Sequence, residues 1–239
     1  MRIEVADDAS EAAKVAARLV SEMCRDAVGA SNVATAAFSG GSSPAAMLAE
    51  LRDDETMPWA QVHVFQVDER SAPDGHQDRN HTQLIDSLAQ RVSETNLYPM
   101  EVGQASEAGA DAELARLTEA AARYSEGLRR HAGAPPVLDV VHLGMGSDGH
   151  TASLVPGDDL AVDGSIDVGV SAVYQGRRRL TITEPVLRAA HNQVWLIPGE
   201  SKAPMVKRLV DGDTTIPAGR VVTDAAVLVL DRSAASELS

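Results

Sequence analysis

A histidine and an aspartate lie close together in the glycine-rich segment "GMGSDGHTASLVPG", which runs from Gly144 to Gly157. A histidine side chain, with an ordinary pKa of about 6.5, suits proton transfer near neutral pH. Asp148 could orient the imidazole of His150, so the pair predicts a general base. In the alternative interpretation, Asp148 caps the following turn and His150 bonds to backbone. We favour catalysis, because four glycines supply no core contacts.

A second segment, "SGGSSP", combines features that suit an anion. It comprises Ser39, Gly40, Gly41, Ser42 and Ser43, followed by a proline that predicts the start of a helix. Glycines let the backbone approach a ligand, serines add donors, and a helix N-terminus favours negative charge. The spacing matches neither the dinucleotide fingerprint nor the P-loop. Phosphate binding and a tight turn with a serine cap explain this segment equally well.

Charged residues follow other predicted strands. In "VDER", Asp68 and Glu69 come directly after a buried strand, so at least one carboxylate is expected to face a crevice. The alternative is a helix cap or an ion pair with Arg70. Arg179 begins "RLTIT" and Lys202 follows "QVWLIP", and both side-chain types bind phosphate. Arg179 ends a run of three arginines, of which only one need point inward.

Several classes of site have no support in the sequence. His63 and His142 lie inside predicted strands, where we interpret them as satisfied core or half-exposed residues. No histidine pair has zinc-site spacing, and the single cysteine, Cys24, reads as a buried thiol. A G-x-S-x-G nucleophile elbow is also absent. We therefore expect no metal and no acyl-serine chemistry.

Composition limits the partners. The formal charge is −14, with 35 acidic and 21 basic side chains, so nucleic acid and anionic membranes would be repelled. Any anionic ligand needs a local positive pocket. The sequence shows no secretory signal and no apolar run of membrane-spanning length. With one cysteine, it predicts a soluble cytoplasmic protein, and we expect a monomer.

The elements that must position these residues alternate along the chain. Helical spacing or initiation signals predict helices at 11–28, 44–52, 80–92, 107–131, 184–190 and 201–210. Apolar runs predict strands at 32–38, 62–67, 137–145, 169–174, 179–183, 193–198 and 226–231. This alternation indicates an α/β fold with a largely parallel sheet, in one domain over residues 1–239. Ligands in such sheets lie beyond the carboxyl ends of strands, where the four candidate segments fall.

Taken in order, these segments resemble the glucosamine-6-phosphate isomerase/6-phosphogluconolactonase family, and within it the lactonases. The resemblance covers nearly the whole chain, through "SGGSSP", "WAQVHVFQVDER", "LGMGSDGHTASLVPG", "RLTITEPVLRAA", "IPGESKA" and "VLVLD". The block around His150 is highly specific. The resemblance implies a three-layer α/β/α Rossmann-like domain, similar to glucosamine-6-phosphate deaminase. It also implies hydrolysis of 6-phospho-D-glucono-1,5-lactone to 6-phospho-D-gluconate in the oxidative pentose phosphate pathway, without a cofactor.

The resemblance and the local chemistry together suggest a mechanism. The substrate phosphate would rest on the Ser39–Ser43 segment, with charge from Arg179 and Lys202 and assistance from Arg70. His150 would deprotonate water and return the proton to the ring oxygen. Backbone N–H groups of Gly40–Gly41 or Gly144–Gly146 would stabilise the oxyanion. Whether Asp148 orients the base, or shares that role with Asp68, stays open.

Departures from the family pattern leave this function intact. Ser43, Ser147 and Arg79 stand where threonine, proline and serine are commoner, and His142 interrupts a usually apolar strand. One rival is a glucosamine-6-phosphate deaminase or isomerase, but such enzymes usually carry "NEPG" where this chain has "SLVPG". Another is a non-catalytic sugar-phosphate sensor on the same fold. Such sensors carry an added DNA-binding segment and need not keep the base.

Overall fold

The computed structural model describes all residues except 89–90, 104–108, 159, 161–163 and 239. Its strands are β1 Arg2–Ala6, β2 Ala34–Phe38, β3 Val62–Gln66, β4 Asp68–Arg70, β5 Leu97–Tyr98, β6 Val140–Leu143, β7 Val168–Val170, β8 Arg179–Ile182, β9 Asn192–Ile197 and β10 Ala226–Asp231. Its helices are α1 Ala9–Ser31, α2 Ser42–Asp53, α3 Asn80–Leu88, α4 Ala110–Ala132, α5 Glu184–Ala189, α6 Ala203–Val210 and α7 Pro217–Val221.

A parallel sheet of seven strands forms the centre of the structure, in the order β1-β10-β9-β6-β2-β3-β5. All residues of β2, β6 and β10 are buried, as expected of strands covered on both faces. After β2 the chain moves to β3 on one side, whereas β6 pairs with β2 on the other. This reversal opens a crevice at the carboxyl ends of β2 and β6.

Helices cover both faces of the sheet and bury two separate apolar clusters. One cluster joins α1, α2 and α3 to the sheet, with Leu19, Met47 and Leu84 among its members. The other joins α4, α5, α6 and α7, and it includes the fully buried Trp195. The three layers confirm the predicted α/β fold with a largely parallel sheet. None of the described helices is long and apolar enough to cross a membrane.

A small antiparallel sheet, in the order β4-β8-β7, was not predicted. The pattern did predict strands at 169–174 and 179–183, but the ladders are shorter and pair with each other and with β4 instead of joining the central sheet. Parallel pairing needs a long crossover, whereas a tight turn suffices for an antiparallel pair. That turn is formed by Gln175 and Gly176, whose φ angles are 50° and 79°.

Other boundaries differ more modestly from the prediction. The strand predicted at 137–145 is confined to β6, because the residues that follow turn into the glycine-rich loop. The helix predicted at 80–92 ends at Leu88, and residues 89–90 lie outside the described part of the chain. The start predicted for the helix at 107–131 also lies outside it, and α4 begins at Ala110. Sequence patterns missed β1, β5 and α7, which are short or lie at sheet edges.

Candidate active site

A cavity of about 280 Å³ lies at the carboxyl ends of β2, β6 and β9. The predicted residues that line it are Ser39, Gly40, Gly41, Ser42, Ser43, Asp68, Arg70, Gly144, Gly146, His150, Arg179 and Lys202. Asn80, Met145, Ala152 and Ile197 also line it. Asp148 stands behind His150, in contact with it. The structure therefore brings all four candidate segments together.

His150 and Asp148 form a close pair in the loop after β6. Asp148 Oδ1 lies 2.5 Å from His150 Nδ1 and also accepts the His150 backbone N–H at 3.2 Å. Partial burial raises the pKa of Asp148, but hydrogen bonds from the Tyr174 hydroxyl and from His150 outweigh it and lower the pKa to about 2. Asp148 is thus a carboxylate at neutral pH. Its acceptance of an Nδ1 proton leaves Nε2 with the lone pair of the neutral ring.

Gly146 explains why this loop needs glycine. A Cβ atom built on it would lie 2.1 Å from His150 Nδ1 and 2.5 Å from Asp148 Oδ1, closer than any real contact. The Gly146 N–H donates to the His150 carbonyl at 2.8 Å, which folds the loop back on itself. Gly149 has a φ of +84°, a conformation that side chains disfavour. The loop therefore tolerates the pair only with glycine at these positions.

Asp68 is buried and lines the cavity, but its partners differ from those of Asp148. Ser153 Oγ donates to Asp68 Oδ2 at 2.5 Å, and Asn80 Nδ2 donates to Oδ1 at 2.9 Å. Burial raises the pKa of Asp68, against the Ser153 hydrogen bond and the charges of Arg70 and Arg179. Of the two carboxylates considered from the sequence, Asp148 is the one in contact with His150.

Glu69 fulfils the alternative role considered for "VDER". Adjacent strand residues point in opposite directions, so Glu69 faces away from the crevice that Asp68 lines. Its carboxylate is buried and accepts the backbone N–H groups of Asn80 and His81 at 2.8 and 2.9 Å. Glu69 therefore caps the start of α3, and Asn80 at that start reaches the cavity.

The glycine-serine loop joins β2 to the N-terminus of α2. A Cβ on Gly40 would lie 2.2 Å from Asn80 Oδ1, so this loop and α3 approach closely only because the residue is glycine. Ser39 Oγ donates to the His142 carbonyl at 3.0 Å, which ties the ends of β2 and β6 together. In the described part of the chain, no acceptor meets the N–H groups of Ser42 and Ser43, as is usual in a first helical turn.

Two of the amides considered for an oxyanion hole are already engaged. The Gly41 N–H donates to Gln83 Oε1 at 2.8 Å, and the Gly146 N–H donates to the His150 carbonyl at 2.8 Å. The structure thus corrects that expectation for these two residues, because an N–H bonded within the protein does not face a ligand. The glycines serve close approach and loop geometry instead.

Three cationic side chains face the cavity from different elements. Arg70 Nη1 donates to the Asp78 carbonyl at 3.0 Å and to Asn80 Oδ1 at 3.2 Å. Arg179 is only 4% exposed, and its Nε has no hydrogen-bond partner among the described residues. Lys202, after β9, has no ion-pair partner in the described ranges.

Of the described residues, no group of three or more His, Cys, Asp or Glu is placed to hold a metal.

The other members of the arginine run are held outside the cavity. Arg177 Nη2 lies 2.9 Å from Asp78 Oδ2, and Arg178 Nε lies 4.0 Å from Glu113 Oε2. Only Arg179 of the three lines the cavity. Burial lowers the pKa of Arg179, while the charge of Asp68 raises it.

His142 departs from the expectation of a satisfied core histidine. It is fully buried in β6, and within the described residues neither ring nitrogen has a hydrogen-bond partner. Burial lowers the pKa of His142 to about 3, so the ring is neutral at ordinary pH. It shares no contact with the His150 pair.

Sequence reasoning missed Tyr174, Ser153 and the part played by Asn80. Tyr174 Oη donates to Asp148 Oδ2 at 2.8 Å, although 26 residues separate them in the chain. Nothing local in the sequence signals this contact. Asn80 lies in the "DRNHT" block, and its contact with Asp68, at 2.9 Å between Asn80 Nδ2 and Asp68 Oδ1, becomes visible only once α3 is positioned.

Comparisons with known proteins identify relatives of this chain. A 6-phosphogluconolactonase from Rhizobium meliloti is 37% identical over 183 residues, which cover 74% of this chain and 73% of that protein. The probable 6-phosphogluconolactonase 2 of Arabidopsis thaliana is 30% identical and covers 96% and 91%.

Solved structures show the same fold. The 6-phosphogluconolactonase from Trypanosoma brucei superposes with a TM-score of 0.87 at 25% identity, covering 100% of this chain and 98% of that one. A monomeric glucosamine-6-phosphate deaminase superposes with a TM-score of 0.78 at 19% identity, covering 99% and 100%. Residues 7–230 match the family described as glucosamine-6-phosphate isomerases/6-phosphogluconolactonase, and this chain belongs to that family.

Proposed function

We propose that this chain hydrolyses 6-phospho-D-glucono-1,5-lactone to 6-phospho-D-gluconate, a step of the oxidative pentose phosphate pathway. One observation carries the proposal: a histidine paired with an ionised aspartate lines the same cavity as three cations and an open helix N-terminus. A base suits an activated carbonyl, and the cations suit a phosphate. The relatives named as 6-phosphogluconolactonases support the substrate class.

The phosphate of the lactone would bind at the glycine-serine loop. The N–H groups of Ser42 and Ser43 point out of the first turn of α2, where the helix dipole favours an anion. Arg179 and Lys202, which line the same cavity, would neutralise the dianion, with Arg70 paired across from Arg179 in the small sheet. In a chain with a formal charge of −14, this local excess of cations is what permits an anionic substrate.

His150 would supply the chemistry. Its Nε2 accepts a proton from water while the water oxygen forms a bond to C1 of the lactone, giving a tetrahedral oxyanion. The intermediate collapses as the bond from C1 to the ring oxygen breaks, and His150 returns the proton to that oxygen. The product is an open-chain acid, which then ionises. Asp148 stabilises the transient imidazolium through Nδ1.

Asp68 would contribute to binding instead of orienting the base. Its carboxyl is held by Ser153 and Asn80 at the cavity wall, where it can contact a hydroxyl group of the sugar. The same Asn80 side chain accepts from Arg70 at 3.2 Å, so Asp68 and the cation are positioned together.

The proposal also covers the domain organisation, the oligomeric state and the cellular location of the protein. We propose that residues 1–239 act as one domain, as a monomer, in the cytoplasm. The single cysteine suits a reducing compartment. Size-exclusion chromatography with light scattering should give the mass of one 25.2 kDa chain.

The reaction class is tested by two assays run in parallel on the purified protein. Hydrolysis of the phosphorylated lactone should exceed the rate without enzyme, while glucosamine-6-phosphate should release no ammonia. Ammonia release would instead identify a deaminase, and activity in neither assay would indicate a sugar-phosphate sensor. The non-phosphorylated lactone serves as a control and should be a much poorer substrate.

A further inference from the structure

A tight turn beside the cavity carries Tyr174, a residue to which the proposed reaction assigns no part. The Tyr174 N–H donates to the Arg177 carbonyl at 3.0 Å, and Arg177 N–H returns a bond at 3.3 Å. Between them, Gln175 and Gly176 both have positive φ angles, of 50° and 79°. Such a two-residue turn holds the flanking side chains in fixed directions.

Tyr174 contacts both the base pair and a cation. Its hydroxyl donates to Asp148 Oδ2 at 2.8 Å, and its ring meets the His150 ring edge-on with the centroids 5.4 Å apart. The guanidinium carbon of Arg179 lies 5.0 Å from the centre of the tyrosine ring. Tyr174 itself is not among the residues that line the cavity. It therefore acts on the residues around the substrate and not on the substrate.

The turn is anchored at a distance from the base. Arg177 Nη1 donates to the Ser71 carbonyl at 3.2 Å, and the Arg177 side chain pairs with Asp78. Gln175 Oε1 accepts from Arg179 Nη2 at 3.1 Å. The Arg177 bonds tie the turn to the segment after β4, and the Gln175 bond ties it to β8, so the position of the Tyr174 hydroxyl does not depend on Asp148 alone.

We propose that Tyr174 is a positioning residue that fixes the orientation of Asp148 and, through it, the tautomer of His150. The proposal rests on the proposed function for its kinetic consequences. With Oδ2 bound to the tyrosine hydroxyl, Oδ1 is directed at His150 Nδ1. The proton then stays on Nδ1 and the lone pair on Nε2. Without the hydroxyl, the carboxylate can rotate and the ring can exchange tautomers, which lowers the fraction of competent enzyme.

The Tyr174 hydroxyl must be protonated to play this role. Burial raises the pKa of Tyr174, and the neighbouring Asp148 carboxylate raises it further, against the charge of Arg179. The hydroxyl is therefore a donor throughout the neutral range. Its distance of 3.5 Å from His150 Nδ1 leaves Asp148 as the closer partner of both groups.

The kinetic test compares two tyrosine-to-phenylalanine variants. Tyr174→Phe removes the hydroxyl and keeps the ring, so kcat should fall about tenfold, as expected for one hydrogen bond to a charged group, while KM changes less than about twofold. Tyr98→Phe is the matched control, since Tyr98 Oη lies 3.0 Å from His63 Nδ1 but outside the cavity. It should keep wild-type kcat. An unchanged kcat in Tyr174→Phe, or a change in KM alone, overturns the proposal.

A second measurement does not depend on activity. Nitrogen NMR of the imidazole rings, with the His150 signal identified by its loss in His150→Ala, should show the Nδ1–H tautomer in the wild-type protein at a pH where the ring is neutral. Tyr174→Phe should shift this signal towards a tautomer mixture, and Tyr98→Phe should not. An identical His150 signal in wild type and Tyr174→Phe overturns the positioning role. Absence of wild-type lactonase activity would refute the proposed function and leave this NMR test valid.

Discussion

Two histidines, one in β6 and one eight residues later in the loop that follows it, differ in their ability to exchange protons. His142 is buried in β6 without a hydrogen-bond partner among the described residues, and burial lowers its pKa to about 3. The His150 side chain lies beyond the strand end, is 24% exposed and touches a carboxylate at 2.5 Å. The position relative to the end of the strand, more than the residue type, determines whether an imidazole can exchange protons.

The local backbone produces this difference. In β6, His142 is paired in register with Phe38 of β2 and Val194 of β9, inside a sheet covered by helices. After β6, Gly146 and Gly149 let the chain turn back, which brings His150 into the crevice. Substitutions in the loop should therefore change activity, and substitutions in the strand should change stability.

Among substitutions that leave both His150 and Asp148 in the chain, the largest effect is expected from Gly146→Ala. The added Cβ would lie 2.1 Å from His150 Nδ1, so the base pair must move, and a displacement of about 1 Å can cost a hundredfold in rate. We expect kcat for the lactone to fall at least about a hundredfold. Gly127→Ala, in α4, is the control, because its Cβ would meet no atom of the described residues within 4 Å, and it should retain activity. Near wild-type kcat in Gly146→Ala would show that the loop geometry is not required.

A smaller effect should follow removal of a cation from the same crevice. Lys202→Ala should raise KM for the phosphorylated lactone about tenfold or more and leave the non-phosphorylated lactone nearly unaffected, because only the former carries the dianion. Lys207→Ala removes an exposed lysine that pairs with Asp211 and should change neither. Equal losses on both substrates would contradict the phosphate site.

The smallest effect, and one confined to stability, is expected from His142→Leu. Removing a buried polar ring that has no hydrogen-bond partner among the described residues should raise the free energy of unfolding by about 1–3 kcal/mol and leave kcat unchanged. The variant should also resist acid better. In the wild-type protein the unfolded chain binds a proton near pH 6.5, whereas folded His142 binds one only near pH 3.

The sign of this pH dependence follows from proton binding. Between those two pH values the unfolded state holds more protons, so wild-type stability is complete above about pH 6.5 and falls as the pH drops towards 3. The stability advantage of His142→Leu should therefore grow below about pH 6.5, by at most about 1.4 kcal/mol per pH unit. Urea unfolding across this pH range measures the difference in unfolding free energy between His142→Leu and wild type. If that difference did not change with pH, the lowered pKa of His142 would be contradicted.

The same contrast shows what the sequence can predict. The residues in the His150 loop are neighbours in the chain, so their types and spacing indicate chemistry, and the strand before them places them at the sheet edge. The glycine-serine loop and Lys202 follow predicted strands for the same reason. Strand periodicity also identifies the buried strands, because continuous apolar runs are typical of a sheet covered on both faces.

What the sequence could not predict depends on contacts between distant segments. Tyr174 reaches Asp148 only because a turn with two positive φ angles redirects the chain. The three-residue strand β4 reads as a charged turn, and only pairing with β8 makes it a strand. That His142 has no hydrogen-bond partner within the described part of the chain could not be predicted either, because a strand histidine usually finds a neighbouring acceptor in the folded protein.

The most direct test of the account is the activity of His150→Ala measured beside His191→Ala, which removes an exposed histidine away from the cavity. We predict that His150→Ala unfolds at the wild-type temperature but hydrolyses the phosphorylated lactone with a kcat lower by about a thousandfold, the loss expected for a general base. His191→Ala should match the wild-type protein in both respects. A kcat for His150→Ala within about tenfold of wild type would contradict the central claim that this histidine is the base.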